Sequence, residues 1–135
     1  MCLMSNVFIM KLQFPMLNIS LVSLNPQSLE EIHIGDLWDY PRDNHLFDKY
    51  YLNQQYVDQN GHIFKITGKT KTDLIHAIIH FNKDKLKFDD TGRNIKFNDL
   101  KNFVIQRYAT LDDDFAKSIL IDLATKSRSF KELIG

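Results

Sequence analysis

Apolar and polar residues follow two different rhythms along this chain. Up to about residue 97 they alternate in short runs or show no period at all, whereas the last third repeats every three to four residues. Leu17, Ile19 and Leu21 alternate with Asn18 and Ser20, a period-two pattern that predicts a half-buried strand within residues 17–24. An apolar run, Val7-Phe8-Ile9-Met10, precedes it, and Pro15 marks a turn or strand edge between the two. Asn25 as N-cap, Pro26 at the first helical position and Glu30 and Glu31 close behind predict a short helix from Pro26 to His33, ended by Gly35. Residues 36–54 keep no period and Pro41 breaks any long helix, so an ordered loop is expected, with one helical turn near Leu46–Tyr50.

Asn60-Gly61 is the preferred pair for a two-residue hairpin turn. Pairing Gln59 with His62 sets Val57 opposite Phe64 and Tyr56 opposite Lys65, and puts Val57, Phe64 and Ile66 on one core-facing side. Strict alternation predicts a strand over Leu74–Phe81, with Ile75, Ala77, Ile79 and Phe81 on one face. Leu86-Lys87-Phe88 and Ile95-Lys96-Phe97 flank Asp89–Asn94, the pattern of a looser second hairpin. Beyond it, Leu100, Phe103, Val104, Tyr108 and Leu111 form one stripe of an amphipathic helix. Asp112 or Asp113 caps a second helix whose apolar face is Phe115, Ala116, Ile119, Leu120 and Leu123, and a last turn packs Phe130, Leu133 and Ile134 back onto the body. Strands followed by helices predict the α+β class: a single domain over residues 1–135, with an antiparallel sheet of about four to five strands and C-terminal helices packed against it. Residues 1–16 hold all four methionines, so they read either as a non-native or poorly ordered start or as a plain N-terminal strand.

Composition narrows the function classes. The 135 residues carry 17 basic and 17 acidic side chains, a net charge of zero that argues against a general nucleic-acid binder or a membrane-surface protein. The apolar N-terminal run has neither a basic leader nor the length to span a bilayer, so a cytoplasmic location is expected. One cysteine, Cys2, excludes a disulfide framework and a cysteine-based zinc site. Isoleucine, lysine and asparagine are abundant, as AT-rich coding produces.

Candidate chemistry is sparse. His76 and His80 could share a metal on a helix but not on a strand, where about 3.3 Å per residue separates them by roughly 13 Å. The strand reading of Leu74–Phe81 therefore predicts no metal, and no cofactor is expected. His33, His45, His62, His76 and His80 stand in five unrelated contexts, and the five glycines form no phosphate loop. Asp112-Asp113-Asp114 reads first as the acidic start of a helix, and Asp89-Asp90-Thr91-Gly92 as a turn rather than a calcium loop. A non-catalytic protein is the expectation; a small nuclease-like or other hydrolytic enzyme using His and Asp groups is the alternative.

Charge is segregated even though it sums to zero. Residues 28–60 carry seven acids against two bases, and residues 61–101 nine bases against five acids. Trp38, Tyr40, Phe47, Tyr50, Tyr51 and Tyr56 lie within the acidic stretch. Rings as anchors and acids as steering groups suit the capture of a basic protein partner. The candidate partner-binding residues are Asp36, Trp38, Asp39, Tyr40, Asp43, Asp48 and Tyr50; the competing structural reading has the aromatics in the core and the acids merely solvated.

A small α+β chain of this composition with an acidic-aromatic loop resembles, in type, the bacterial immunity proteins of contact-dependent inhibition and related polymorphic-toxin systems. The resemblance rests on no shared motif and carries over no functional residue. It implies a cognate toxin domain, often a nuclease, bound as a one-to-one complex by a monomeric antidote with no catalysis of its own. A phage or mobile-element accessory protein that binds a host factor through the same surface is the remaining alternative.

Overall fold

A computed structural model describes residues 12–24, 32–71, 75, 78–79 and 84–135. The strands are β1 (Met16–Asn18), β2 (His33–Ile34), β3 (Gln55–Val57), β4 (His62–Lys71) and β5 (Asp84–Asn94); the helices are α1 (Asn44–Tyr50), α2 (Phe97–Tyr108), α3 (Asp114–Lys126) and α4 (Phe130–Ile134). One five-stranded antiparallel sheet runs in the order β2-β1-β3-β4-β5. This is the α+β architecture read from the sequence, with three of the described helices after the last strand.

Both faces of the sheet are covered. Side chains alternate along each strand, so neighbours enter different layers. On the helix side Leu17 and Val57 meet Leu100, Val104, Leu111, Ala124, Leu133 and Ile134. On the other side Met16, Ile34, Tyr56, Phe64, Ile66, Leu86 and Phe88 meet Phe47 of α1 and Tyr51 just after it. The paired residues agree with this division: Leu17 lies opposite Val57, and Met16 opposite Ile34.

Several local expectations are corrected. The β3–β4 register is one residue from the expected one: Tyr56 faces Phe64 and Val57 faces Ile63. The cause is Asp58, whose buried carboxylate accepts hydrogen bonds from the backbone N–H of Asn60 and His62, both at 2.9 Å. The connection becomes a four-residue loop, closed by Asp58 N–H to the His62 carbonyl, in which Gly61 takes φ +82° and Asn60 does not take positive φ. Phe64 and Ile66 thus belong to the layer opposite Val57.

The second hairpin does not form. Residues 84–94 are one continuous strand paired with β4, and Thr91 and Gly92 are taken up where the register shifts between Ile63 and Phe64. Thr91 Oγ1 donates to the Ile63 carbonyl, and Phe97 opens α2 instead of ending a strand. Ile75, Ile78 and Ile79 are helical and exposed, which overturns the strand over Leu74–Phe81; His76 and His80 lie outside the described residues. The predicted helix 26–33 falls mostly outside them too, but its last residue, His33, is in β2. The first strand is shorter than expected, because the Asn18 side chain accepts from the N–H groups of Ser20 and Leu21 and turns the chain away. The run Val7–Met10 is outside the described residues.

Arg107 is the interior residue that periodicity did not mark. It is 1% exposed, and its guanidinium donates to the carbonyls of Asn18 and Leu21 while lying 4.9 Å from the Phe103 ring centroid. Burial lowers its pKa to about 10, so it stays charged at neutral pH. A cation on α2 thereby fixes the turn after β1. Among the described residues, no helix is long and apolar enough to cross a membrane.

Candidate partner-binding surface

The acidic segment is an ordered loop followed by α1, tied to the outer edge of β5. Leu86 N–H donates to the Leu37 carbonyl at 2.7 Å, and Tyr40 Oη donates to the Asp84 carbonyl at 2.8 Å. Within the loop, Asp36 accepts from Trp38 N–H and Asp39 from Gly35 N–H, each at 2.8 Å. Asp43 is the N-cap of α1, accepting from the N–H groups of His45 and Leu46. Short polar side chains take this role because a helix start leaves its first N–H groups without internal partners. The expected single turn is a seven-residue helix for that reason.

The predicted site residues divide into two groups. Asp36, Asp39, Asp43 and Asp48 are all exposed. Trp38, Tyr40 and Tyr50 are half-buried, and Tyr40 and Tyr50 pack against the loop-side core. The Tyr40 ring meets Phe47 edge-on at 5.7 Å, and burial pushes its hydroxyl pKa up. Lys69 reaches this pair from β4: its ammonium lies 4.5 Å from the Phe47 centroid and 5.1 Å from that of Tyr40, and donates to Asn44. The four carboxylates are each exposed, while Tyr40 serves chiefly to hold the loop against the sheet. Trp38 is the half-buried aromatic between Asp36 and Asp39.

Periodicity also hid a second surface. On α3 the side chains of Phe115, Ile119 and Leu123 are 75%, 44% and 60% exposed, and it is the neighbouring row of Ala116, Leu120 and Ala124 that turns inward. At ~100° per residue the two rows together span about half the circumference, more than one neighbouring layer covers, and that excess width was the available signal. Beside the row lies a cleft of about 160 Å³ between α3 and α4, lined by Leu120, Leu123, Ala124, Leu133 and Ile134, with His33 in its wall. His33 Nε2 donates to the Ile134 carbonyl at 2.7 Å, and burial lowers its pKa below the ordinary 6.5.

Among the described residues no three His, Cys, Asp or Glu side chains gather as a metal site. The run Asp112–Asp114 works as read: Asp113 caps α3 through the N–H groups of Phe115 and Ala116. No protein-family model, curated protein or solved structure matches the chain.

Proposed function

We propose that the protein is a non-catalytic binding protein that neutralises a cognate bacterial toxin domain, of nuclease type, by holding the toxin's basic surface against Asp36, Asp39, Asp43 and Asp48. The observation that supports this reading is the four exposed carboxylates on a segment whose backbone is fixed to β5 and capped at α1. A rigid array loses little conformational freedom on binding, and its negative field steers a basic cleft toward it. Trp38 supplies the anchor among the acids, and the complex holds one toxin domain per chain in the cytoplasm.

The test is co-expression with the toxin domain encoded beside this gene, reading growth rescue and affinity. The triple variant Asp36→Asn, Asp39→Asn, Asp43→Asn suits the purpose, because asparagine keeps the turn and cap hydrogen bonds while removing the charge. Loss of rescue in a variant of unchanged melting temperature supports the reading. Wild-type affinity in both the triple variant and Trp38→Ala contradicts it, as does the absence of any toxin neighbour that binds.

A further inference from the structure

We propose that the cleft between α3 and α4 is a binding site for a small organic amine, a protonated amino group on an apolar body the size of one benzene ring. Size is the first argument. The cleft measures about 160 Å³, and leucine, isoleucine and alanine side chains of α3 and α4 line its apolar part. Apolar cavities of ~150 Å³ accept a benzene molecule, so one ring fills it. Sites for small molecules combine such an apolar floor with a few polar groups that choose the ligand. Here those groups are His33 of β2, Tyr108 at the end of α2, Ser127 and Glu132.

The second argument is the chemistry of those four groups, which offer acceptors and negative charge. His33 Nε2 lies 2.7 Å from the Ile134 carbonyl, and a carbonyl only accepts, so the ring proton sits on Nε2. Nδ1 is then a bare acceptor, and burial lowers the pKa of the ring, which keeps it neutral. The Ser127 hydroxyl donates to the Leu123 carbonyl and retains its lone pairs. Glu132 accepts from the Arg128 N–H through Oε1, which leaves Oε2 for a ligand. Tyr108 keeps its hydroxyl proton, because burial raises its pKa. The C-terminal end of α3, at Ala124 and Ser127, adds the negative end of that helix's dipole. The neighbouring cations are already engaged, Lys126 by Asp122 at 2.9 Å and Lys101 by the Ser127 carbonyl. A ligand that brings N–H groups and positive charge completes this set, whereas an anion of the same size meets repulsion. Ser127 and His33 each bond a backbone carbonyl rather than one another, so no nucleophile–base pair forms and the site binds without reacting. The acids proposed to face the toxin lie by the opposite layer of the sheet, so an amine in this cleft leaves them free.

The experiment is a proton–nitrogen NMR titration of the full chain at neutral pH with benzylamine, benzyl alcohol and benzoate, which share one ring and differ in the head group. Benzylamine should move the amide signals of Leu120, Leu123, Ala124, Ser127 and Ile134, with a Kd of about 1 mM, as a ligand of so few heavy atoms allows. Benzyl alcohol should bind at least about tenfold more weakly, and benzoate more weakly still. Glu132→Gln alters an exposed side chain and keeps an acceptor for the Arg128 N–H. It should weaken benzylamine about five- to tenfold and leave benzyl alcohol unchanged. The proposal is overturned if benzylamine moves none of these signals up to about 20 mM, if benzoate binds as tightly as benzylamine, or if Glu132→Gln binds benzylamine as wild type does. Shifts confined to residues 36–48, where exposed acids attract any cation, would overturn it as well.

Discussion

The two layers that cover the sheet are built differently. The helix-side core is aliphatic: Leu17, Ile32, Val57, Leu100, Val104, Leu111, Leu133 and Ile134 dominate it, and residues 97–134 supply most of its helical wall. The loop-side core is aromatic, with Phe47, Tyr51, Tyr56, Phe64 and Phe88 at its centre and Phe14, Tyr40 and Tyr50 at its margin. Its cover is a seven-residue helix and an aperiodic loop. A short cover buries enough apolar area only if each residue brings a large side chain, and aromatic rings do. Edge-to-face contacts of Phe88 with Tyr56 and Phe14, and of Tyr40 with Phe47, give that layer directional packing. The loop-side core therefore depends on few large contacts, the helix-side core on many small ones.

The largest effect is expected where that dependence is concentrated. Phe64→Ala, at 1% exposure on the loop side, should cost about 3–5 kcal/mol by chemical denaturation. A cost below about 1 kcal/mol would mean that the aromatic layer is not a packed core. Arg107 tests the other layer, where a single cation spans the carbonyls of Asn18, at the end of β1, and Leu21 beyond it. Arg107→Met should lose about 3 kcal/mol, since bonds from a charged donor are worth about 1.5–3 kcal/mol each. A variant as stable as wild type would show that the turn at residues 18–21 holds without it.

Gly61 joins the β3–β4 loop to the helix side. A Cβ there would approach the Ile95 carbonyl oxygen to 2.7 Å and Phe130 Cζ to 2.8 Å, on a backbone at φ +82°. Gly61→Ala should therefore cost about 2–4 kcal/mol, combining left-handed strain with overpacking. Equal stability would contradict the close approach of α4. The smallest effect concerns His33. Its folded-state pKa lies below 6.5, so the unfolded chain binds the extra proton first on acidification. Its contribution to stability is complete above about pH 6.5 and is lost as pH falls toward the lowered value. His33→Gln should remove that part of the acid sensitivity; an identical pH slope in variant and wild type would place the titration elsewhere.

The contrast also explains what could be read from the sequence. Helices α2 and α3 announce themselves because a buried stripe repeats at helical spacing, although the wide arc of α3 left its outward row ambiguous. The register of β3 and β4 could not be read in the same way. Alternation locates a core only when one sheet face is wet, and here Tyr56 and Val57, or Ile63 and Phe64, are buried in turn on both faces. Asp58 sets the register through two backbone hydrogen bonds, and a buried aspartate looks in sequence like a solvent-facing one. Arg107 hid for the same reason, as a charge on a helix that bends a neighbouring turn into place. The four candidate carboxylates were legible as exposed acids. That three of them also hold turns or a helix cap was not, because such bonds depend on local backbone geometry. The prominence of Tyr40 came from composition, and the structure gives its ring to the core and its hydroxyl to Asp84.

Under the proposed function, the aromatic core of the loop-side layer fixes the backbone and its surface acids steer a basic partner. The most direct test is the association rate constant with the toxin domain, measured by stopped flow across a range of ionic strength. Wild type should associate fast at low salt and slow steeply as salt screens the field. The Asp36→Asn, Asp39→Asn, Asp43→Asn variant, with its caps intact, should associate at least about tenfold more slowly at low salt, with a shallower dependence. Identical rates and identical salt slopes in the two proteins would contradict the claim that these carboxylates form the capturing surface.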